Sequence, residues 1–586
     1  MARHPRPFHL ALAVAMASAL MTASLVPATA EPNPAEPDPV ELVRVSAAGE
    51  DRQALADLLS GTGYDLVGRE GDDLIVLGDR TTVDELTAQG LSVVGREPAV
   101  SSAVPLAESA TPLPARLAGQ QYPTFYGGYR TVEGHYQFAE DLAEAYPELV
   151  RHLTYGESWE RTRDAGAGYE LPVLCVTADA GAGCVPEPDS EKPRFLLMAQ
   201  IHAREVTTSE IAWRFVTSLV DGYGRDAEIT SVLDSTEIWV VPNANPDGTA
   251  LVERGIEDQG LGGTSPAWQR KNTNDSDSTV PCGTGGSWSN NHAGVDLNRN
   301  WDTRWAESGS SSNPCGQTYH GSGPNSEPET HQLADLFDRL FPAQRTEPDG
   351  SAPLDARGVL ITLHTFGDYV LFPWGNAVDG PAPNDEGLRS LGFRMSHYNG
   401  YRTGRPPEVL YGVSGATDDY SYDRLGVASF TYELGSARTC TGFHPAYSCQ
   451  DQLWGENADA LLYAAKSARA PYSLALGPTV SDLSVVRANG PWASVFGTAD
   501  DDAYGTNGVG RPTAQDVVAA EAYVGALPWE GGTPQPLRVV GSGSTVGLAG
   551  TFATTGLGAD RQLIHVRAQD SEGNWGPFTA VWLDPA

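Results

Sequence analysis

The chain has 586 residues, a length that predicts about three or four domains at roughly 100–200 residues each. Hydrophobic residues make up 40% and charged residues 19%, so sizeable cores can form and wholesale disorder is excluded. With 38 Lys and Arg against 75 Asp and Glu, the formal charge is −37, which argues against binding nucleic acid or docking on anionic membrane. Self-repulsion of this size keeps a soluble protein apart, and adaptation to a salty or acidic medium is an equally good account of it.

Arg3 and Arg6 precede an apolar run from Leu10 to Val26, and Ala28-Thr29-Ala30 has the small residues of a signal-peptidase site. Residues 1–30 are therefore expected to be a signal peptide. The two arginines are not adjacent, so a general secretory signal fits better than a twin-arginine one, and an uncleaved anchor is the alternative. No later apolar stretch reaches the ~18 residues of a membrane helix, so a secreted, extracellular protein without a membrane anchor is expected. The six cysteines fall into three local groups: Cys175 with Cys184, Cys282 with Cys315, and Cys440 with Cys449. Six allow fifteen pairings, so proximity is only a guide, but export makes disulfides the default. None stands in a Cys-x-x-Cys pattern, so thiolate zinc sites and redox motifs have no support.

Residues 41–97 contain an internal echo. Gly63-Tyr-Asp-Leu-Val-Gly-Arg-Glu70 recurs 27 residues later as Gly90-Leu-Ser-Val-Val-Gly-Arg-Glu97. Each copy follows an amphipathic stretch, Arg52–Ser60 with Leu55, Leu58 and Leu59, and Thr82–Gln89 with Val83 and Leu86. With strands near Glu41–Ser46 and Asp73–Leu77, the order is β-α-β-β-α-β, which suits a ferredoxin-like α+β sandwich. Pro98–Leu117, rich in Ala, Pro and Ser, is expected to be an exposed linker open to proteolysis, with cleavage near Arg116. A folded unit between a signal and a cleavable linker is expected to be a pro-segment, so residues 31–119 comprise pro-segment and linker. A permanent accessory domain is the alternative.

Residues 120–470 alternate helices with short, nearly continuous apolar strands. Helices are expected over Glu133–Tyr146 and Glu210–Val220, and strands over Phe195–Ile201, Glu237–Val241, Gly358–Leu363 and Ala428–Tyr432. Strands apolar on both sides imply a sheet with helices on both faces, an α/β domain. Residues 477–586 instead show short alternating strands, such as Leu563–Ala568 and Phe578–Leu583, punctuated by Gly, Pro, Asp and Asn. An immunoglobulin-like, all-β sandwich is expected there, with no residue that carries recognisable chemistry.

The chemistry gathers in the middle domain. His202 and Glu205 follow a strand and, three apart, can turn toward one metal ion. A catalytic zinc site needs a third protein ligand and an open position for water, and His364, after Gly358–Leu363, is the candidate. Neither His-Glu-x-x-His nor its inverse occurs, which excludes thermolysin-type zinc helices. Next come Asn245-Pro246-Asp247-Gly248, Arg270-Lys271-Asn272 and Gly294-Val295-Asp296-Leu297-Asn298-Arg299-Asn300-Trp301-Asp302. Tyr411, Ser414-Gly415 and Asp418-Asp419-Tyr420 follow, and then Phe430-Thr431-Tyr432-Glu433-Leu434. In this order, from about Tyr122 to Ala470, the chain resembles the zinc metallocarboxypeptidases of the pancreatic A/B type.

The resemblance implies a mixed, twisted sheet covered by helices on both faces for residues 120–470, a ferredoxin-like pro-domain, and a Cys282–Cys315 disulfide. It implies one Zn2+ per catalytic domain, held by His202, Glu205 and His364. Glu433 matches the family's general base and proton shuttle, and Arg270 the charge that meets the developing oxyanion. These roles make chemical sense: zinc lowers the pKa of its water toward about 7, and a nearby carboxylate can take the proton and later give it to the leaving amine. Asn298 and Arg299 match the pair that holds the substrate's terminal carboxylate, which a guanidinium fork binds bidentately. Tyr411 matches the tyrosine that closes over the substrate, and Arg204 an arginine of the next subsite.

Asp418 matches the base of the pocket for the final side chain. An aspartate there accompanies Lys/Arg preference in the family, so basic, or mixed basic and apolar, C-terminal residues are expected. Three departures stand out. Thr365-Phe366 replaces Ser-Tyr, Gln269 separates Trp268 from Arg270, and Asp275–His292 is longer and rich in Gly and Ser. The expected function is a secreted, zymogen-type zinc metallocarboxypeptidase acting on peptide and protein C-termini. The alternatives are a cell-wall peptidoglycan stem-peptide hydrolase, and a catalytically dead binding protein whose β-sandwich contacts cell wall or polysaccharide.

Overall fold

The computed structural model describes residues 38–47, 51–100, 112–283, 288, 292–347, 350–435, 440, 442–487, 490–555, 557 and 560–585. The expected signal peptide, and residues 101–111 of the expected linker, lie outside them. Among the described residues no helix is long and apolar enough to cross a membrane.

The N-terminal unit runs β1 (Glu41–Val45), α1 (Arg52–Gly61), β2 (Asp65–Glu70), β3 (Asp73–Gly78), α2 (Arg80–Ala88) and β4 (Val93–Pro98). Its strands pair antiparallel in the order β2-β3-β1-β4, so the two copies of the echo lead into the two edge strands. Asp51 and Asp79 cap the helices by accepting backbone N–H bonds from Gln53 and Thr81. Leu55 and Leu59 of α1 and Leu86 of α2 pack on Val43, Val45, Leu74 and Val76, alternate positions of β1 and β3.

The middle of the chain continues with β5 (Thr124–Phe125), β6 (Tyr129–Arg130), α3 (Val132–Ala145), β7 (Val150–Glu157), α4 (Trp159–Arg163) and β8 (Glu170–Val176). Then come β9 (Arg194–Met198), α5 (Thr207–Gly222), α6 (Ala227–Ser235), β10 (Glu237–Val241), α7 (Pro246–Gln259) and α8 (Pro328–Leu340). They are followed by β11 (Val359–Thr365), β12 (Tyr369–Leu371), α9 (Asp385–Asn399), β13 (Arg402–Gly404) and α10 (Pro406–Val409). The domain ends with α11 (Thr417–Leu425), β14 (Ala428–Leu434), α12 (Cys449–Ser467) and α13 (Pro471–Leu474).

Eight of these strands form one mixed sheet in the order β13-β12-β14-β11-β9-β10-β8-β7. Its centre, β14-β11-β9-β10, is parallel, and antiparallel pairs flank it. An apolar layer with Trp213, Phe215 and Phe430 covers one face, and another with Trp239, Trp301 and Phe337 covers the other. Within β9, Phe195 and Leu197 enter the first layer while Leu196 and Met198 enter the second. Burial on both faces is why this strand reads as an unbroken apolar run. The disulfides are Cys175–Cys184, Cys282–Cys315 and Cys440–Cys449.

The C-terminal unit is all-β: β15 (Thr479–Arg487), β16 (Trp492–Asp500), β17 (Val517–Val524), β18 (Gln535–Val540), β19 (Thr545–Ala553), β20 (Gln562–Asp570) and β21 (Thr579–Leu583). The strand order is β15-β16-β19-β18-β17-β20-β21. β18 pairs through Gln535–Leu537 with β17 and through Arg538–Val540 with β19, joining two halves around Val495, Ala522, Leu548 and Val566. Arg394 of α9, fully buried, donates to Asp501 at 3.0 Å and to the Gly477 carbonyl at 2.8 Å, and stacks on Tyr504.

Several element ends differ from the sequence expectation: the helix expected over Glu210–Val220 runs Thr207–Gly222, and the strand expected over Gly358–Leu363 runs Val359–Thr365 and takes in His364. The strand expected over Phe195–Ile201 ends at Met198, because Gln200 adopts φ 54° and the chain turns out of the sheet. Ala115–Leu117, expected within an exposed linker, form a single 3-10 turn. Leu117 is buried in the first apolar layer, and Arg116 pairs with Glu148 at 2.5 Å.

Candidate active site

The carboxyl ends of three neighbouring parallel strands converge on one point, the place where open α/β sheets bind ligands. His202 lies just beyond β9, His364 near the end of β11, and Glu433 on β14, where the pairing register sets it opposite His364. The His202 turn is pinned by two bonds: Ala203 N–H donates to the Arg270 carbonyl at 3.0 Å, and the Asn245 amide to the Ile201 carbonyl at 3.1 Å. Asn245 also caps α7, its Oδ1 accepting from Gly248 N–H at 3.2 Å.

His202, Glu205 and His364 are buried, with ligand atoms that all lie within 4.8 Å of one another. His202 Nδ1 is 2.8 Å from Glu205 Oε1, His364 Nδ1 is 3.1 Å from Glu205 Oε2, and the two Nδ1 atoms are 3.1 Å apart. Two imidazole nitrogens and a carboxylate aimed at one volume fit a catalytic zinc site with three protein ligands. Behind them, His202 Nε2 faces Asp296 Oδ1 at 3.2 Å, the carboxylate–imidazole arrangement that fixes a ligand's tautomer.

Asp296 received no role in the sequence reading, although it sits in the Gly294–Asp302 motif. Fully buried, it also accepts from Arg270 Nε and Nη2, both at 3.0 Å. Burial alone would raise its carboxyl, but Arg270, His202 and Arg299 outweigh that and hold it well below the usual range. The available signal was a carboxylate set between buried Val295 and Leu297, where only a paired charge is tolerated. The inserted Gln269 is a clamp, its amide donating to the carbonyls of Asn272 at 2.9 Å and Ala293 at 3.0 Å.

Around the cluster, Asn298 Oδ1 accepts from the backbone and hydroxyl of Thr417, both at 2.9 Å. Arg299 donates from Nε to the Gly309 carbonyl at 2.8 Å and from Nη1 to the Asn298 carbonyl at 2.7 Å. Burial pushes the Glu433 carboxyl up to about 7, with His364 opposing and Glu205 adding. Burial also raises the Asp418 carboxyl, and among the described residues no Lys or Arg pairs with it.

All the sequence-predicted site residues except Arg204 line one cavity, of about 60 Å³. Leu66 and Val67 of the N-terminal unit form part of its wall. Arg204 instead donates both Nη groups to Asp65, at 2.5 and 2.9 Å, and lies over the Phe443 ring at 4.1 Å. The Tyr411 hydroxyl donates to the Leu66 carbonyl at 2.7 Å.

A family model for zinc carboxypeptidase matches residues 135–460. Among curated relatives, carboxypeptidase A4 of Mus musculus is 28% identical over 315 residues, 53% of this chain and 63% of the relative. Carboxypeptidase A1 of Sus scrofa is 28% identical over 319 residues, with the same shares. Metallocarboxypeptidase A of Trichophyton tonsurans is 26% identical over 317 residues, 53% of this chain and 64% of the relative. The chain thus spans about 63% of the length of the first of these curated relatives. Among solved structures, the carboxypeptidase A from Helicoverpa armigera gives a TM-score of 0.54 at 21% identity, covering 74% of this chain and 98% of that one. Thrombin activatable fibrinolysis inhibitor gives 0.52 at 22%, covering 74% and 99%. At such identities these two likenesses speak for the fold. The family match, in contrast, runs over more than half of the chain and takes in the whole buried His-Glu-His cluster: the chain belongs to the zinc carboxypeptidase family.

Proposed function

We propose that the chain is a secreted, zymogen-type metallocarboxypeptidase that removes C-terminal residues from peptides and proteins, preferring Lys and Arg or accepting both basic and apolar residues. The carrying observation is the convergence of three metal-ligand side chains, Glu433 and the Asn298/Arg299 pair on one cavity. Bound by His202, Glu205 and His364, Zn2+ would supply Lewis acidity that lowers the pKa of a water toward about 7. Glu433 accepts the proton of the attacking water and passes it to the leaving amine. Arg270, held by Asp296, keeps a fixed positive charge beside the scissile carbonyl, a contribution of about 3 kcal/mol to the barrier. The Arg299 fork and the Asn298 amide hold the terminal carboxylate. A buried, cation-free Asp418 is costly, and an incoming ammonium or guanidinium offsets that cost.

In this reading residues 31–119 are a ferredoxin-like pro-segment with its linker, 120–470 the catalytic domain, and 477–586 an immunoglobulin-like sandwich. Asp65 keeps Arg204, and Leu66 keeps Tyr411, away from substrate while the N-terminal unit stays seated. The expected cut near Arg116 falls at the turn Ala115–Leu117, where Arg116 is exposed. The test incubates the zinc-loaded chain, before and after limited proteolysis, with equimolar peptides differing only in the C-terminal residue, and reads products by mass spectrometry. Lys and Arg are expected to leave ahead of Leu and Phe after cleavage. No single-residue release from any peptide overturns the reading.

A further inference from the structure

β13 is the outermost strand of the eight-stranded sheet, and such an edge presents unpaired N–H and C=O groups. The C-terminal unit occupies it. Thr403 N–H donates to the Asn507 carbonyl at 3.1 Å and Val509 N–H to the Thr403 carbonyl at 2.9 Å, a parallel bridge centred on Gly508. The approach is close enough to require glycine: Gly508 has φ 144°, and a methyl group there would lie 2.3 Å from the Thr403 oxygen. Beside it, Gly505 N–H donates to the Phe393 carbonyl of α9 at 2.7 Å.

Arg389 of α9 connects this loop to the wall of the cleft. Its Nη1 donates to the Val509 carbonyl at 2.6 Å and to Glu408 Oε2 at 3.1 Å, while Nη2 reaches Glu408 Oε1 at 3.3 Å. Asp385 receives Nε and Nη2, both at 2.9 Å, which fixes the guanidinium plane. Glu408 in turn accepts from Arg405 N–H at 3.0 Å and Nε at 3.1 Å. Glu408 belongs to α10, and the same short segment puts Pro406, Leu410 and Tyr411 on the cavity. Charge-assisted bonds of this kind, largely shielded from water, hold geometry better than neutral ones.

We propose that the C-terminal β unit braces the cleft: its Asn507–Val509 segment, acting through Thr403 and Arg389, positions the Arg405–Tyr411 segment that closes over substrate. Arg389 is a positioning residue that touches no substrate. The inference rests on the carboxypeptidase reading for the role of Tyr411, while the bracing itself is read from the contacts alone.

The test uses the full chain and three variants, Gly508→Val, Arg389→Ala and Arg389→Lys, followed by hydrogen–deuterium exchange with peptide-level mass spectrometry. Exchange across residues 402–412 is expected to rise by about five-fold or more in Gly508→Val and Arg389→Ala, with β11 unchanged and Arg389→Lys partly restored. After limited proteolysis, KM for C-terminal release is expected to rise about five-fold with kcat within about two-fold. Unchanged exchange at 402–412 in both disruptive variants overturns the proposal. So does a rise of equal size in β11, which marks general destabilisation. A wild-type chain that releases no residue removes the carboxypeptidase reading, and the exchange comparison then still decides whether the brace exists.

Discussion

The guanidinium of Arg204 and the carboxylate of Asp65 form a two-pronged ion pair, at 2.5 and 2.9 Å, with both side chains essentially without solvent contact. One partner comes from the turn after β9 and the other from the first residue of β2, so the pair joins the N-terminal unit to the rim of the cleft. Breaking a buried pair by removing one partner costs about 3–5 kcal/mol, because the remaining charge stays desolvated. Asp65→Ala is therefore expected to loosen the N-terminal unit. In the uncleaved chain, C-terminal residue release should rise at least about ten-fold over wild type, every ~1.4 kcal/mol being a factor of ten. Mass spectrometry of an uncleaved sample checks it, and an equally silent variant would put the closure elsewhere.

Glu433→Gln keeps the shape of the side chain and removes its basicity. The rate of hydrolysis is expected to fall by about 10²–10⁴-fold with the zinc content unchanged. His364→Ala should instead lose the metal, and chelation of the wild type should abolish activity until zinc is returned. Elemental analysis beside kinetics separates the two classes.

Asp296→Asn tests the residue that the motif reading passed over. An outer carboxylate behind a ligating imidazole is typically worth about 10–100-fold in metal affinity or activity. Zinc binding is expected to weaken by that factor, measured by competition with a chelator. Affinity equal to wild type would reduce Asp296 to a support for Arg270.

Asp418→Leu tests the proposed preference for basic C-terminal residues. The substitution removes the buried charge and fills the pocket base with apolar atoms. The ratio of kcat/KM for C-terminal Lys over Leu is expected to fall by about 10²-fold or more. A ratio that does not move would mean that the basic side chain is read by another group.

Stability should fall between weakly acidic and alkaline pH, and Glu253 is one cause. It sits on α7 and accepts from Val132 N–H at 2.8 Å. Burial pushes its carboxyl up to about 8 against that hydrogen bond, with Glu133 and Glu257 adding. The folded form thus holds the proton more tightly than the unfolded chain, whose value is near 4.5. This contribution is complete below about 4.5 and is lost as pH rises through about 8. Glu253→Gln is expected to melt with wild type at pH ~5 and about 2–5 °C above it at pH ~9. Thermal melts across that range decide it; parallel curves for the two proteins would rule Glu253 out as a source of the slope.

The ends of β10 could be read to the residue, because the run is bounded by Thr236 before it and by Pro242 after it, and proline cannot donate to a central ladder. β9 could not: Ala199 and Ile201 are as apolar as the strand itself, and only the turn at Gln200 ends it. The same limit applies to Leu117, whose burial depends on α3 packing over it. Among the site residues, spacing alone suggested His202, Glu205 and His364 as a set, whereas the expected role of Glu433 came from the order of the motifs and the family they resemble. Asp296 was visible as a letter within a motif, but its partners lie on two other segments.

What the sequence determined by itself was local: helix and strand periodicity, caps at Asp51 and Asp79, and the ordered motifs that mark the chemistry of the middle domain. Such features depend on residues within a turn or two of one another. Tertiary structure alone decided that His364 stands opposite Glu433, that Asp65 meets Arg204, and that Gly508 extends the sheet edge at Thr403. Each of these joins residues far apart in the chain through strand register and close packing. Register and packing are settled by the whole buried surface at once, so no local pattern encodes them.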